Sequence, residues 1–148
     1  MDYQYRSRQS IYCEVAKIAE GLALEKYGGY PYLKFYRGEP MLQGFQGCTV
    51  PDSTRIVKNH FEAIEVKFID FEHSFVDLSS KASAIKKQLA NRQFHLPEGS
   101  HQRLVVFYNG DFLGIEDELR EGFEKRLLPY IANLHIDIYK YPYELEEI

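Results

Sequence analysis

The sequence predicts an α/β protein built on one mixed sheet, and three observations carry that expectation. Residues 7–27 and 77–94 place apolar side chains at helical spacing. Around them lie short runs rich in β-branched and aromatic residues, bounded by Gly, Pro and Asn. No apolar run approaches the roughly 18 residues of a membrane span, so neither a transmembrane helix nor a membrane partner is expected. The predicted order is helix, three strands, helix and strand, followed by a C-terminal helix and strand. All of it is read as one domain over residues 1–148, with no linker, repeat or low-complexity segment.

The elements follow in order. Ile11, Val15, Ile18 and Leu22 mark the first helix, with Ser7 or Ser10 at its start and Gly28-Gly29 at its end. Tyr32 to Tyr36 reads as the first strand, broken by Arg37-Gly38-Glu39-Pro40. Met41 to Gln46 reads as a loop. Thr54 to Val57 is a second strand, Lys58-Asn59-His60 a tight turn and Phe61 to Ile69 a third strand. Asp70 to Val76 connects to a helix whose stripe is Leu78, Ala82, Ile85 and Leu89. Arg103 to Tyr108 is a buried strand. Ile115, Leu119, Phe123 and Leu127 mark a third helix, acidic on its outer face and closed by Pro129. Leu134 to Tyr139 alternates as the last strand, and Tyr141 to Ile148 is a tail.

Composition narrows the classes. A chain of 148 residues can bury one core. The polar start Met1 to Arg6 lacks a signal-peptide core. Cys13 and Cys48 offer no metal-ligand spacing and are expected as free thiols. No Ser, His and acid cluster suggests a nucleophilic hydrolase, and zinc chemistry lacks its ligands. The net charge of −4 is unusual for a nucleic-acid binder. The acids concentrate at Glu116 to Glu124 and Glu144 to Glu147. Lys58, Lys67, Lys81, Lys86, Lys87, Arg92 and Arg103 sit in the middle of the chain, where they can form a basic face.

The candidate chemistry lies between Pro51 and Lys67. Glu65-Val66-Lys67 is the only acid-x-Lys triplet, and Pro51-Asp52 the only Pro-Asp pair. On a strand Glu65 and Lys67 share a face, while Ile64, Val66 and Phe68 point into a core. Asp52 and Glu65 are hard oxygen donors suited to magnesium or manganese, with the Val66 carbonyl as a further donor. Lys67 is a cation for an attacking water and a phosphate. The same pattern also fits a solvated strand face with a Glu/Lys ladder. Glu14 falls at the edge of the first helix's apolar stripe, where it either joins the metal site or pairs in a salt bridge. Glu20 reads as lying on the opposite face, and Glu25 is a lesser candidate. Lys81, Gln88 and Arg92 line one margin of the second helix and are candidates for holding substrate phosphates or water. Their alternative is a solvated helix edge. His73 is a further loop residue that could reach substrate.

This order, with Pro51-Asp52 and Glu65-Val66-Lys67 on the second and third strands, resembles the PD-(D/E)xK, or restriction-endonuclease-like, nuclease superfamily over about residues 7–108. The resemblance implies that Asp52 and Glu65 bind the divalent metal, that Lys67 positions the water and that Glu14 joins them from the first helix. The stretch from Ile85 to Gly110, with its Gln and its Leu96-Pro97-Glu98-Gly99 loop, is similar to restriction-like toxin domains of bacterial polymorphic toxin and contact-dependent inhibition systems. That similarity implies a delivered effector module acting in a target cytoplasm and neutralised by an immunity protein, while small homing or restriction endonucleases and junction resolvases share the same core.

The expected activity is therefore metal-dependent hydrolysis of nucleic-acid phosphodiesters, with DNA ranked ahead of RNA. Two-sided cutting of duplex DNA would call for a homo-oligomer, while a transfer-RNA nuclease could act alone. The competing expectation is a non-catalytic, acidic binding or immunity-type protein, in which Asp52 and Glu65 are surface charges.

Overall fold

The computed structural model describes residues 7–44 and 46–145. The polar start through Arg6, the loop residue Phe45 and the last three residues of the tail lie outside the described residues. Within them the chain forms three helices, a five-stranded mixed sheet and a separate two-stranded ribbon.

Helix α1 runs Arg8–Tyr27. The Ser7 hydroxyl accepts from the Ser10 N–H at 3.1 Å and satisfies one of the free donors at its start. Gly28, at φ 71°, ends it. The buried stripe is Ile11, Val15, Ala19 and Ala23, at strict four-residue spacing. Ile18 is exposed and Leu22 is only partly buried. Two alanines in the contact let the helix backbone lie close to the sheet.

Strand β1 is only Tyr30–Pro31 and pairs with β4, Ser53–Val57. Gly29 makes this approach possible. A side chain there would meet the Thr54 carbonyl oxygen at 2.6 Å, and its φ of 106° already favours glycine. The expected first strand at Tyr32 to Tyr36 is corrected by this arrangement. Lys34–Tyr36 forms β2, which folds back on β3, Glu39–Met41, outside the main sheet. Arg37 and Gly38, at φ 47° and 85°, are the two left-handed residues that a tight hairpin turn requires. The ribbon then docks on the end of the second helix. The Arg37 N–H donates to His95 Nδ1, the Gly38 N–H to the His95 carbonyl, and Phe35 is buried with Ala63 and Leu96.

Strand β4 turns through Lys58-Asn59, again with both φ values positive, into β5, His60–Asp70. Helix α2, Leu78–His95, follows, and Asp77 caps it by accepting from Ser79 and Ser80. Strand β6, His101–Asn109, lies parallel to β5. Helix α3, Ile115–Leu127, leads to β7, Leu134–Lys140, parallel to β6. Each helical crossover returns the chain to the same end of the sheet, which is why these neighbours are parallel. The sheet order is β1-β4-β5-β6-β7.

Alternation along β5 and β6 divides the core. Ile64, Val105 and Phe107 face α1, while Ile69, Leu104 and Val106 face α2 and α3. Burying each of these larger side chains contributes about 1.5–3 kcal/mol. Cys13 and Cys48 carry free thiols. No helix among the described residues is long and apolar enough to cross a membrane.

Candidate functional site

The site forms where β4 stops and β5 runs on. The two-residue turn pairs Val57 with His60 and Ser53 with Ile64, so Asp52 falls opposite Glu65. Asp52 Oδ2 accepts from the Val66 N–H at 2.7 Å. A strand residue turns its N–H and C=O to the same side, so the Val66 carbonyl faces this open edge as well. Lys67 lies on the same face of β5 as Glu65, and its Nζ is 3.1 Å from Glu65 Oε2. The structure thus brings together Asp52, Glu65, Val66 and Lys67, which line one cleft of about 460 Å³.

Glu65 is 4% exposed. It reaches such burial because Arg92 NH1 donates to its Oε1 at 2.7 Å, while Arg92 Nε donates to the Thr49 hydroxyl at 3.2 Å. Arg92 is itself 2% exposed. The expectation that Arg92 holds a substrate phosphate is therefore corrected: its guanidinium is spent inside the protein on Glu65. Lys81 and Gln88, from the same helix margin, do face the open side. Lys81 lines the cleft, and Lys81 with Gln88 lines the pocket next to it. Arg103 of the expected basic face is also used internally, on Glu62, where Arg55 joins it.

The first helix contributes a different acid from the one expected. Tyr12, Ala16 and Glu20, four residues apart, line the cleft. Glu20 hydrogen-bonds the Asp52 carboxyl. At about 100° per residue, Glu14 lies roughly 200° round the helix from Tyr12. It is exposed, near enough to Tyr141 to act on it electrostatically, and does not line the cleft. Glu14 is thus corrected to Glu20. The reason is the rotation of the helix, which follows Ala19 and Ala23 rather than Ile18. The signal that could have found Glu20 is the Tyr12-Ala16-Glu20 spacing. Glu25 is exposed and does not line the cleft either. His73 contacts Asp70 at 3.2 Å in the loop after β5.

Burial, the neighbouring Glu65 carboxylate and the hydrogen bond to Glu20, in that order, push the Asp52 carboxyl up to about 8, against the opposing pull of the Val66 N–H. The folded protein therefore keeps a proton on Asp52 that the unfolded chain, at 3.8, releases. Stability from this source is complete below pH 3.8 and is lost as pH rises through about 8. Asp52→Asn keeps an acceptor for Val66 and a donor for Glu20. It should raise stability at pH 9 by about 1–2 kcal/mol, allowing for the solvent the cleft admits, and change it little at pH 4. Urea unfolding midpoints at the two pH values check this. Equal midpoints for variant and native protein at pH 9 would mean that the site does not raise the Asp52 carboxyl.

Among the described residues, no three His, Cys, Asp or Glu side chains are arranged as they stand to hold a metal ion. What converges is the pair Asp52 and Glu65, with Glu20 bonded to the first. The donor chemistry fits a divalent cation. All the donors are hard oxygens, and the Asp52 carboxyl keeps its proton in the absence of a charge to balance it. A cation would take the place of that proton and of Lys67 on Glu65. Comparison with known proteins finds no protein-family model, no curated protein and no solved structure that matches this chain.

Proposed function

We propose that this protein is a divalent-metal-dependent endonuclease with a restriction-endonuclease-like core, hydrolysing nucleic-acid phosphodiester bonds. The observation that carries the reading is the junction of β4 and β5, where Asp52 stands opposite Glu65 with Lys67 3.1 Å from the latter, in one cleft. A magnesium or manganese ion held by Asp52, Glu65 and the Val66 carbonyl would polarise the phosphate and acidify a bound water. The chain's own groups do the rest. Arg92 holds the Glu65 carboxylate in place from behind. Lys67, freed from Glu65, orients the attacking water and offsets the charge that builds on the phosphate. Glu20, hydrogen-bonded to Asp52, adds negative charge beside the site a cation would occupy. Lys81 is exposed at the rim and attracts the phosphate backbone.

The test is cleavage of supercoiled plasmid and of total RNA, each with magnesium or with chelator. Loss of either substrate with magnesium alone supports the reading. No cleavage together with no single-site magnesium or manganese binding by calorimetry would overturn it and favour an acidic binding protein instead. Glu20→Gln should lower the metal-dependent rate by about 10-fold or more, because the acid cluster loses one negative charge beside the cation. Glu14→Gln should leave the rate unchanged. The reverse result would return the first-helix role to Glu14.

A further inference from the structure

A second pocket of about 480 Å³ opens beside the acid cleft, with Lys67 and Lys81 in the wall common to both. Its size is that of a small-ligand site. Ile69, Ile85 and Ala84 supply apolar walls, and Gln88, Ser80 and Asp77 supply an amide, a hydroxyl and a carboxylate. At its mouth stands Phe75, 92% exposed. A phenyl ring left in water is costly, and here its backbone is held on both sides. Asp70 Oδ1 accepts from the N–H groups of Glu72 and His73 and from Asn109 Nδ2, Asp70 Oδ2 accepts from the Tyr12 hydroxyl, and the Ser74 hydroxyl donates to the Asp70 carbonyl. Asp77, two residues on, caps α2.

We infer that this pocket seats one unpaired base of a single-stranded nucleic acid, stacked on Phe75, with the adjoining phosphates passing Lys81 and Lys67 into the acid cleft. The assignment rests on the nuclease reading for its substrate. A flat aromatic ring, apolar side walls and a lining amide match a nucleobase, which offers a π-face and a hydrogen-bonding edge. The two ammonium groups between pocket and cleft match the phosphates on either side of that base. A base paired in a duplex presents no free face to Phe75, so the geometry selects single strands. Gln88, the amide among the polar groups, reads the base edge.

The experiment uses 12-nucleotide DNA and RNA strands of one sequence, each with a central 2-aminopurine, and the same strands in duplex. Binding is followed by fluorescence in chelator, and cleavage in magnesium. Single strands should bind at least 10-fold tighter than duplex, with quenching. Phe75→Ala should weaken single-strand binding by about 5-fold to 150-fold, Phe75→Tyr should restore it, and duplex binding should not change. The DNA and RNA arms show which sugar the cleft accepts. Equal binding of single strand and duplex, or a Phe75→Ala protein that binds and cuts single strands normally, overturns the base pocket even where Lys67-dependent cleavage persists. Phe75-dependent single-strand binding without metal-dependent cleavage and without single-site magnesium or manganese binding supports the pocket and overturns the nuclease reading instead.

Discussion

Lys67→Ala should lower metal-dependent cleavage by about 10²–10³-fold while leaving the protein folded, which is the loss expected when one preorganised group at the developing charge is removed. The structure explains why the fold should tolerate it. The Lys67 side chain is 33% exposed, and its partner Glu65 keeps the shorter, better-buried bond from Arg92. A half-exposed ion pair of this kind contributes about 1 kcal/mol or less to stability. The variant also separates two roles for the lysine. In either role its loss frees Glu65 for a cation and tightens metal binding, but only as a group that orients water does its loss also reduce the rate. As a mere counter-ion to Glu65, its loss would leave the rate intact. Rate and calorimetric metal affinity measured together distinguish these outcomes, and a normal rate would refute the catalytic role.

Arg92→Leu should destabilise the protein by about 3–5 kcal/mol, the cost of stranding a buried carboxylate. For a chain of this size that corresponds to a fall of about 10 °C in the unfolding midpoint. Glu65, 4% exposed, would be left with Lys67 as its only cationic partner among those described here, and the Thr49 hydroxyl would lose its donor. Pairing the change with Glu65→Leu should recover much of the loss, since an apolar pair of similar volume needs no counter-charge. Thermal unfolding of the two single variants and the double variant measures the coupling. A substrate-binding arginine would behave in the opposite way, weakening nucleic-acid binding with little change in unfolding. That outcome would overturn the internal role assigned to Arg92.

The three helices and the last three strands were legible from periodicity, because each buries a stripe or a face whose spacing is written locally. That the two acids sit on neighbouring strands was legible too, but their register was not, because the sequence reads the turn as Lys58-Asn59-His60. A two-residue turn at Lys58-Asn59 leaves Asp52 five residues before Val57 and Glu65 five after His60, so closing the hairpin sets them opposite one another. The turn has two residues where the sequence suggests three, and a slip of one residue would set Asp52 opposite Val66 instead.

Tertiary structure alone decided the rest. Tyr32 to Tyr36 looks like a strand of the sheet, but its partner is chosen by two left-handed residues and by docking on His95, 58 residues away from Arg37 in sequence. Arg92 has the pattern of a solvated helix margin and becomes a buried ion-pair partner because α2 packs directly over Glu65. Glu20 enters the site and Glu14 leaves it because α1 rolls onto its alanines. The helix lowers its energy by bringing backbone close to sheet, and a search for large apolar side chains does not detect that contact. In each case the deciding term is a long-range contact, whose energy depends on which surfaces meet and not on the spacing within either one.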